Sequence, residues 1–96
     1  MTKFNYRPLP NGVTIGNSTI QGLGLFSTDL FLPNTILGIS HHIVDYAIIR
    51  TPLGGFINHA LKPNCELVEN GNQYILRTLR NILPNEELTV RYSLEQ

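Results

Sequence analysis

Apolar and polar residues alternate in short runs along this chain, and the runs are separated by glycine, proline and asparagine. Val13 and Ile15 alternate with Thr14 and Gly16, which predicts a first short strand that Asn17-Ser18 interrupts. Thr19-Ile20 lead into Gly22-Leu23-Gly24, and Leu25-Phe26-Ser27 resume the apolar pattern, so the order is strand, tight glycine loop, strand. Ile36-Leu37-Gly38-Ile39 and Glu87-Leu88-Thr89-Val90 are two further β-rich runs. Each is entered through a near-identical turn, Leu32-Pro33-Asn34-Thr35 or Leu83-Pro84-Asn85-Glu86, in which proline presets its φ and asparagine tolerates left-handed backbone. Alternation through Tyr74-Ile75-Leu76-Arg77-Thr78-Leu79 predicts a hairpin, with Glu66 to Glu69 and Gln73 to Arg80 flanking Asn70-Gly71-Asn72. Between Ser40 and Arg50 no period is clear, and the segment is too short for an independent helix. If extended, His41 and His42 point to opposite faces, and both are expected to be surface or partly buried polar residues. Helical spacing is not sustained over any window of about eleven residues. The fold class is therefore mostly β, built of short strands behind an extended arm over residues 1–12.

The segment from Gly55 to Cys65 carries more chemistry than a connection needs. It places Asn58-His59, a Pro63-Asn64 turn and the single cysteine between two strand-like blocks, where a few polar residues would suffice. Asn58 offers amide donors and an acceptor, and His59 can direct one ring nitrogen to a ligand while the other is anchored. Taken alone, the pair reads better as a turn former beside a satisfied core histidine.

Composition narrows the function. Seven basic and seven acidic residues cancel, leaving no electrostatic footprint for nucleic acid or an anionic membrane. One cysteine and three scattered histidines make neither an internal disulfide nor a zinc ligand set, so no metal is expected and a reducing compartment fits. Cys65 reads as a small buried residue, with no base beside it in sequence. The first residues lack a signal-peptide pattern, and no apolar run approaches the roughly 20 residues of a membrane span. The expectation is one soluble, cytoplasmic domain over residues 1–96, which buries only about 60–65% of its unfolded surface.

Three segments gain meaning from their order: Gly22-Leu23-Gly24-Leu25-Phe26, then Phe56-Ile57-Asn58-His59 running on to Pro63-Asn64-Cys65, then Glu86-Glu87-Leu88-Thr89-Val90-Arg91-Tyr92. Together they resemble the G-x-G loop, the F-x-N-H-S-x-x-P-N segment and the G-E-E-L-T-x-x-Y strand of the SET-domain protein lysine methyltransferases, in the minimal form found in viruses and bacteria. The resemblance covers roughly residues 13–92. It implies a SET-domain (β-clip) fold of short curled sheets with a C-terminal pseudoknot, which brings the N-H motif beside the terminal tyrosine. It further implies S-adenosylmethionine as cofactor, S-adenosylhomocysteine as product, and in-line methyl transfer to a lysine amine of a protein or peptide. Carried over, Gly22, Leu23 and Gly24 would hold the methionine end of the cofactor, and Asn58 and His59 would meet its adenosine part. Tyr92 would stand at the transfer point, contacting both cofactor and amine. Tyr46 is a second channel candidate, equally readable as a strand tyrosine packed on the core; Tyr74 is a weaker one.

The chain departs from the family pattern in places. Asn34 and Asn85 stand for glycine, Ala60 for serine, and Arg91 where an acidic residue is frequent. The helical insert before the N-H motif is essentially absent, as is the cysteine-rich zinc segment that completes the lysine channel in many relatives. A homodimer or the N-terminal arm would have to close that wall. A SET-like binding module without transfer is the alternative reading; a small β-barrel serving only assembly leaves the ordered motifs unexplained. The expected site is cytoplasmic, in the producing cell, or in a host cell for a viral protein.

Overall fold

The computed structural model describes residues 9–91. In chain order the elements are β1 (Val13–Asn17), β2 (Leu23–Ser27), β3 (Ile36–Val44), β4 (Ala47–Arg50), the helix α1 (Pro52–Phe56), β5 (Asn58–His59), β6 (Cys65–Asn70), β7 (Gln73–Thr78) and β8 (Glu87–Val90). Among the described residues the strands form two four-stranded sheets, ordered β1-β2-β8-β5 and β4-β3-β7-β6. The mostly β expectation holds. Residues 1–8, most of the predicted arm, and the chain from Tyr92 onward, where the pseudoknot would be completed, lie outside the described residues.

The core lies where the inward residues of both sheets meet. Val13, Leu25, Leu88 and Val90 come from the first sheet, Leu37, Cys65 and Leu76 from the second, and Leu53, Ile57 and Ile82 close it. Burying each of the larger side chains contributes about 1.5–3 kcal/mol. In β8 the pattern does not alternate: Leu88, Thr89 and Val90 are all buried. A strand covered on both faces shows this pattern, and β8 is in addition paired along both edges, antiparallel to β2 and parallel to β5.

Inside this sheet β8 is held by a side chain as well as by strands. Asn64, only 4% exposed, donates from Nδ2 to the Glu87 carbonyl at 2.8 Å and accepts at Oδ1 from the Thr89 amide at 2.9 Å. The amide thus copies the hydrogen bonding of a neighbouring strand. It acts as a pin on β8 rather than as the turn residue its Pro-Asn context suggested.

The predicted turns are in place. Asn34 and Asn85 are left-handed, with φ of 63° and 74°. The β6–β7 hairpin closes at Asn70↔Gln73, with Gly71 at positive φ in its two-residue turn.

Between Ser40 and Arg50 the structure corrects the sequence reading: the segment is a hairpin, β3 pairing with β4. Its turn residues Asp45 and Tyr46 both have positive φ, 50° and 67°, as a type I′ turn requires. His41 is the second correction. A register shift between Ile39 and His41 puts an extra residue in β3, so that Ser40 and His41 both turn inward. His41 is 2% exposed, its Nδ1 lies 2.8 Å from Ser40 Oγ, and its ring meets Tyr74 edge-on at 6.0 Å. Burial first, and the Arg50 charge second, lower its pKa from the usual histidine value. His42 is exposed.

The helix was not expected. Thr51 caps it, accepting from the Gly54 amide, and Pro52 occupies its first turn. Gly54 lies directly over β3: a Cβ there would collide with the Ser40 carbonyl and come within 2.9 Å of the His41 ring. The bulge and this glycine together let α1 settle on the sheet and aim the chain into β5.

Candidate active site

The register of the first sheet assembles the site around β8. Asn58 lies opposite Thr89 in the parallel pair, and Glu87 lies opposite Phe26 in the antiparallel pair. Because successive residues of a strand face opposite ways, Gly24 shares the Phe26 face, where the Glu87 side chain runs. A Cβ on Gly24 would overlap the Glu87 carboxylate and come within 3.0 Å of Asn58 Nδ2. Glycine is needed here for close approach, since only Gly22 of the loop has a positive φ, 47°.

Asn58 bridges the loop and the strand. Its Nδ2 is 2.9 Å from Glu87 Oε2, 3.1 Å from Ser18 Oγ, 3.2 Å from the Gln21 carbonyl and 3.4 Å from the Leu23 carbonyl. The Ser18 hydroxyl lies 2.8 Å from each Glu87 oxygen and accepts from the Ile20 amide at 2.9 Å. A serine at the end of β1 thereby orders the loop and ties it to a residue 69 positions away. Ser18, Asn58 and Glu87 are half-buried, while Gln21, Gly22 and Leu23 are exposed.

The predicted site residues separate into groups. Gly22, Leu23, Gly24 and Asn58 come together, and His59, exposed, follows on the same strand. Tyr46 does not join them. It sits fully exposed at the β3–β4 turn, in the other sheet, and it is not packed on the core either, because a type I′ turn projects its residues into solvent. Tyr92 lies outside the described residues; Val90, two positions before it, pairs with His59. Sequence reasoning missed Ser18 and the contact role of Glu87. The signal for Ser18 was its spacing to Gln21, since serine hydroxyls commonly close such local turns.

Two other groups near β8 are not disposed for chemistry. Burial pushes the Cys65 thiol up to about 12, which keeps it protonated and inert. The Arg80 guanidinium and the Leu83 amide hold the Glu86 carboxyl below its usual range, so Glu86 serves as an ionised anchor for the turn before β8. A cleft of about 260 Å³ lined by Pro63, Cys65, Glu66, Leu67, Leu79 and Arg91 contains none of the predicted site residues.

The sequence model of the SET domain matches residues 34–93. The chain belongs to the SET-domain family. The glycine loop lies upstream of the matched stretch, so its place against Asn58 is information the match does not contain. Among curated relatives, this SET domain is 40% identical over 42 residues to the histone-lysine N-methyltransferase Suv4-20 of Caenorhabditis elegans, which is 44% of this chain and 15% of that protein. It is 44% identical over 41 residues to the histone-lysine N-methyltransferase SMYD3 of Mus musculus, 43% of this chain and 10% of that one. The chain thus spans a small part of the length of both. Among solved structures, a Plasmodium falciparum protein assigned as a histone methyltransferase superposes with a TM-score of 0.74 at 20% identity, over 88% of this chain and 95% of the other. The methyltransferase domain of human PR domain-containing protein 2 gives 0.70 at 19% identity, over 92% and 81%. At these identities the superpositions establish the SET fold.

Proposed function

We propose that the protein is an S-adenosylmethionine-dependent protein-lysine N-methyltransferase. One observation carries the reading: the glycine loop and Asn58 meet on one side of β8, the strand that runs toward Tyr92. The names of the aligned relatives, lysine methyltransferases both, support it.

The residues present fit the cofactor. The position of a Cβ on Gly22 has nothing within 4 Å, so an open edge of backbone faces solvent beside Asn58, while Gly24 lets the Glu87 side chain pack beneath that edge. When bound, S-adenosylmethionine would supply an electrophilic methyl group for transfer to the uncharged amine of a lysine. Gly22, Leu23 and Gly24 would hold its amino-acid end through backbone groups. The Asn58 side chain, turned toward the loop, serves the same end in this reading, which leaves the β5 backbone and His59 for the adenosine part. The Tyr92 hydroxyl would orient the lysine amine, and alignment of this kind can lower a barrier by roughly 7–11 kcal/mol. Tyr46, at its exposed turn, has no part in it.

Incubation with radiolabelled cofactor and a mixture of proteins tests this. Label is expected on lysines, reduced about 100-fold in Tyr92→Phe, the scale of loss that misplacing a reacting group produces. Equal transfer by both chains would remove Tyr92 from the mechanism. Cofactor binding without any transfer would leave a binding module.

A further inference from the structure

The second sheet ends at β4, and among the described residues part of the β4 backbone has no neighbouring strand. In a two-residue type I′ hairpin the residues flanking the turn, here Val44 and Ala47, bond each other, and bonded and non-bonded pairs then alternate. Two hydrogen bonds fix that alternation independently. The Ile43 amide, opposite Ile48, turns away from β4 to the Asn72 carbonyl at 2.8 Å, and the Thr51 amide returns to the Ser40 carbonyl at 2.9 Å. Ile48 and Arg50 therefore direct their N–H and C=O groups outward from the sheet edge.

The side chains along this edge are those of a contact surface. Val44 and Ile49 are each 49% exposed, and Tyr46 is fully exposed. Tyr46 holds a φ of 67° in a turn position that favours asparagine or glycine, so an aromatic ring is presented to solvent against the local preference. Edge strands are ordinarily blunted by lysine, proline or several charges; β4 has neither lysine nor proline, and Arg50 is its one charge. By contrast β6, at the other edge of the sheet, carries Glu66 and Glu69.

We propose that β4 pairs with β4 of a second copy of the chain, antiparallel about a two-fold axis at Ile49. The occupant follows from the spacing. The outward residues 48 and 50 lie symmetrically about 49, so in this register each Ile48 exchanges two hydrogen bonds with the partner's Arg50, and every outward group of both strands is satisfied. Ile49 then faces its own counterpart in the closely spaced, non-hydrogen-bonded pair. The Arg50 stem lies along the partner's Ile48 with its guanidinium in solvent, and Tyr46 comes level with the exposed ring of the partner's Pro52. With no net charge, the two chains have no overall repulsion to overcome. A whole tyrosine offers about 150–250 Å². Added to four-residue strands, that stays below the roughly 800 Å² per partner of a standard interface, so the dimer is weak, with a Kd of about 10–100 μM.

Sedimentation equilibrium of the full chain, from well below to well above that Kd, is expected to show a monomer–dimer equilibrium. Ile49→Lys and Ile49→Glu should each weaken it about 10-fold or more, because like charges then stand directly opposite each other, and their equimolar mixture should recover it as a heterodimer. Urea midpoints establish that both variants fold. Tyr46→Gly, which suits the positive φ of the turn, should keep the fold and raise Kd about 10-fold. A single-chain mass at every concentration overturns the inference. So does a dimer indifferent to position 49, which would place the contact elsewhere, or loss in both charged variants without recovery in their mixture, which would deny that Ile49 meets its own copy. Should the charged variants fail to fold, Tyr46→Gly decides, and an unchanged Kd overturns the pairing.

Discussion

Asn64→Ala is the perturbation that most directly tests how the site is held together. The Asn64 amide meets the Glu87 carbonyl and the Thr89 amide at 2.8 and 2.9 Å, in a place where Asn64 and Thr89 are 4% and 7% exposed. Truncation leaves both backbone groups short of this partner with little water to replace it, at about 1–3 kcal/mol each. Some relaxation is expected, so the loss should be about 3 kcal/mol. A chain of 96 residues has roughly 5–14 kcal/mol in total, which makes this a large fraction. In urea unfolding the midpoint should fall by about 1–3 M at unchanged slope. In thermal unfolding Tm should fall by roughly 12–24 °C.

Asn64→Asp separates the two halves of the pin. It keeps the acceptor for Thr89 but sets a carboxylate oxygen against the Glu87 carbonyl, and burial adds to the cost. Both effects raise the carboxyl's folded-state pKa above its unfolded value of about 3.9. A carboxyl raised in this way contributes its stability below the unfolded value and loses it as pH rises through the folded one. The deficit of Asn64→Asp relative to wild type should therefore shrink as pH falls, while that of Asn64→Ala should not. A loss below about 0.5 kcal/mol for Asn64→Ala, the ordinary range for a surface change, with Asn64→Asp following it at every pH, would refute the pin.

Three further outcomes follow from the packing. Gly24→Ala should cost about 1–3 kcal/mol by overpacking against Glu87 and should shift the Asn58 side-chain amide signals in NMR; an unshifted amide would mean that the loop is not in contact with β8. His41, whose native pKa is lowered, binds protons more weakly folded than unfolded, so its contribution is intact above the unfolded value of about 6.5 and declines as pH drops through the window below it. Urea midpoints at pH 7.5 and 5 should therefore differ more for wild type than for His41→Phe, and parallel curves would contradict the burial of the ring. Cys65, with its thiol pushed up to about 12, should resist a thiol reagent in the native chain at pH 8 and react on unfolding in urea; rapid native labelling would show the thiol to be accessible.

What was legible in the sequence was local. Asparagine after proline announced the left-handed residues at 34 and 85, and Asn70-Gly71-Asn72 announced a hairpin, because those backbone requirements are met by the residue itself. The order of motifs was enough to gather the glycine loop and Asn58. The misses share a different cause. The bulge at Ser40-His41 breaks the alternation that marks a strand, and the Asp45-Tyr46 turn carries none of the usual glycine despite its two positive φ angles. Five residues of α1 are too few to show a helical period. Ser18 and Asn64 take their roles from partners 69 and 25 positions away, so nothing in their neighbourhoods distinguishes them from ordinary turn formers.

Those long-range partners make ligand binding and folding hard to separate in this chain. The segment from Gly55 to Cys65 reaches β8 twice, at Asn58 from the glycine-loop side and at Asn64 from the buried side, and Glu87 receives both contacts, on its carboxylate and on its carbonyl. On the cofactor reading, a ligand held beside the glycine loop binds only the folded form. At about 100 times its Kd it should add about 2.7 kcal/mol of stability, close to what Asn64→Ala removes. S-adenosylhomocysteine should therefore restore much of the lost Tm in Asn64→Ala. A Tm of Asn64→Ala that does not rise with S-adenosylhomocysteine would mean that this ligand does not select the folded form.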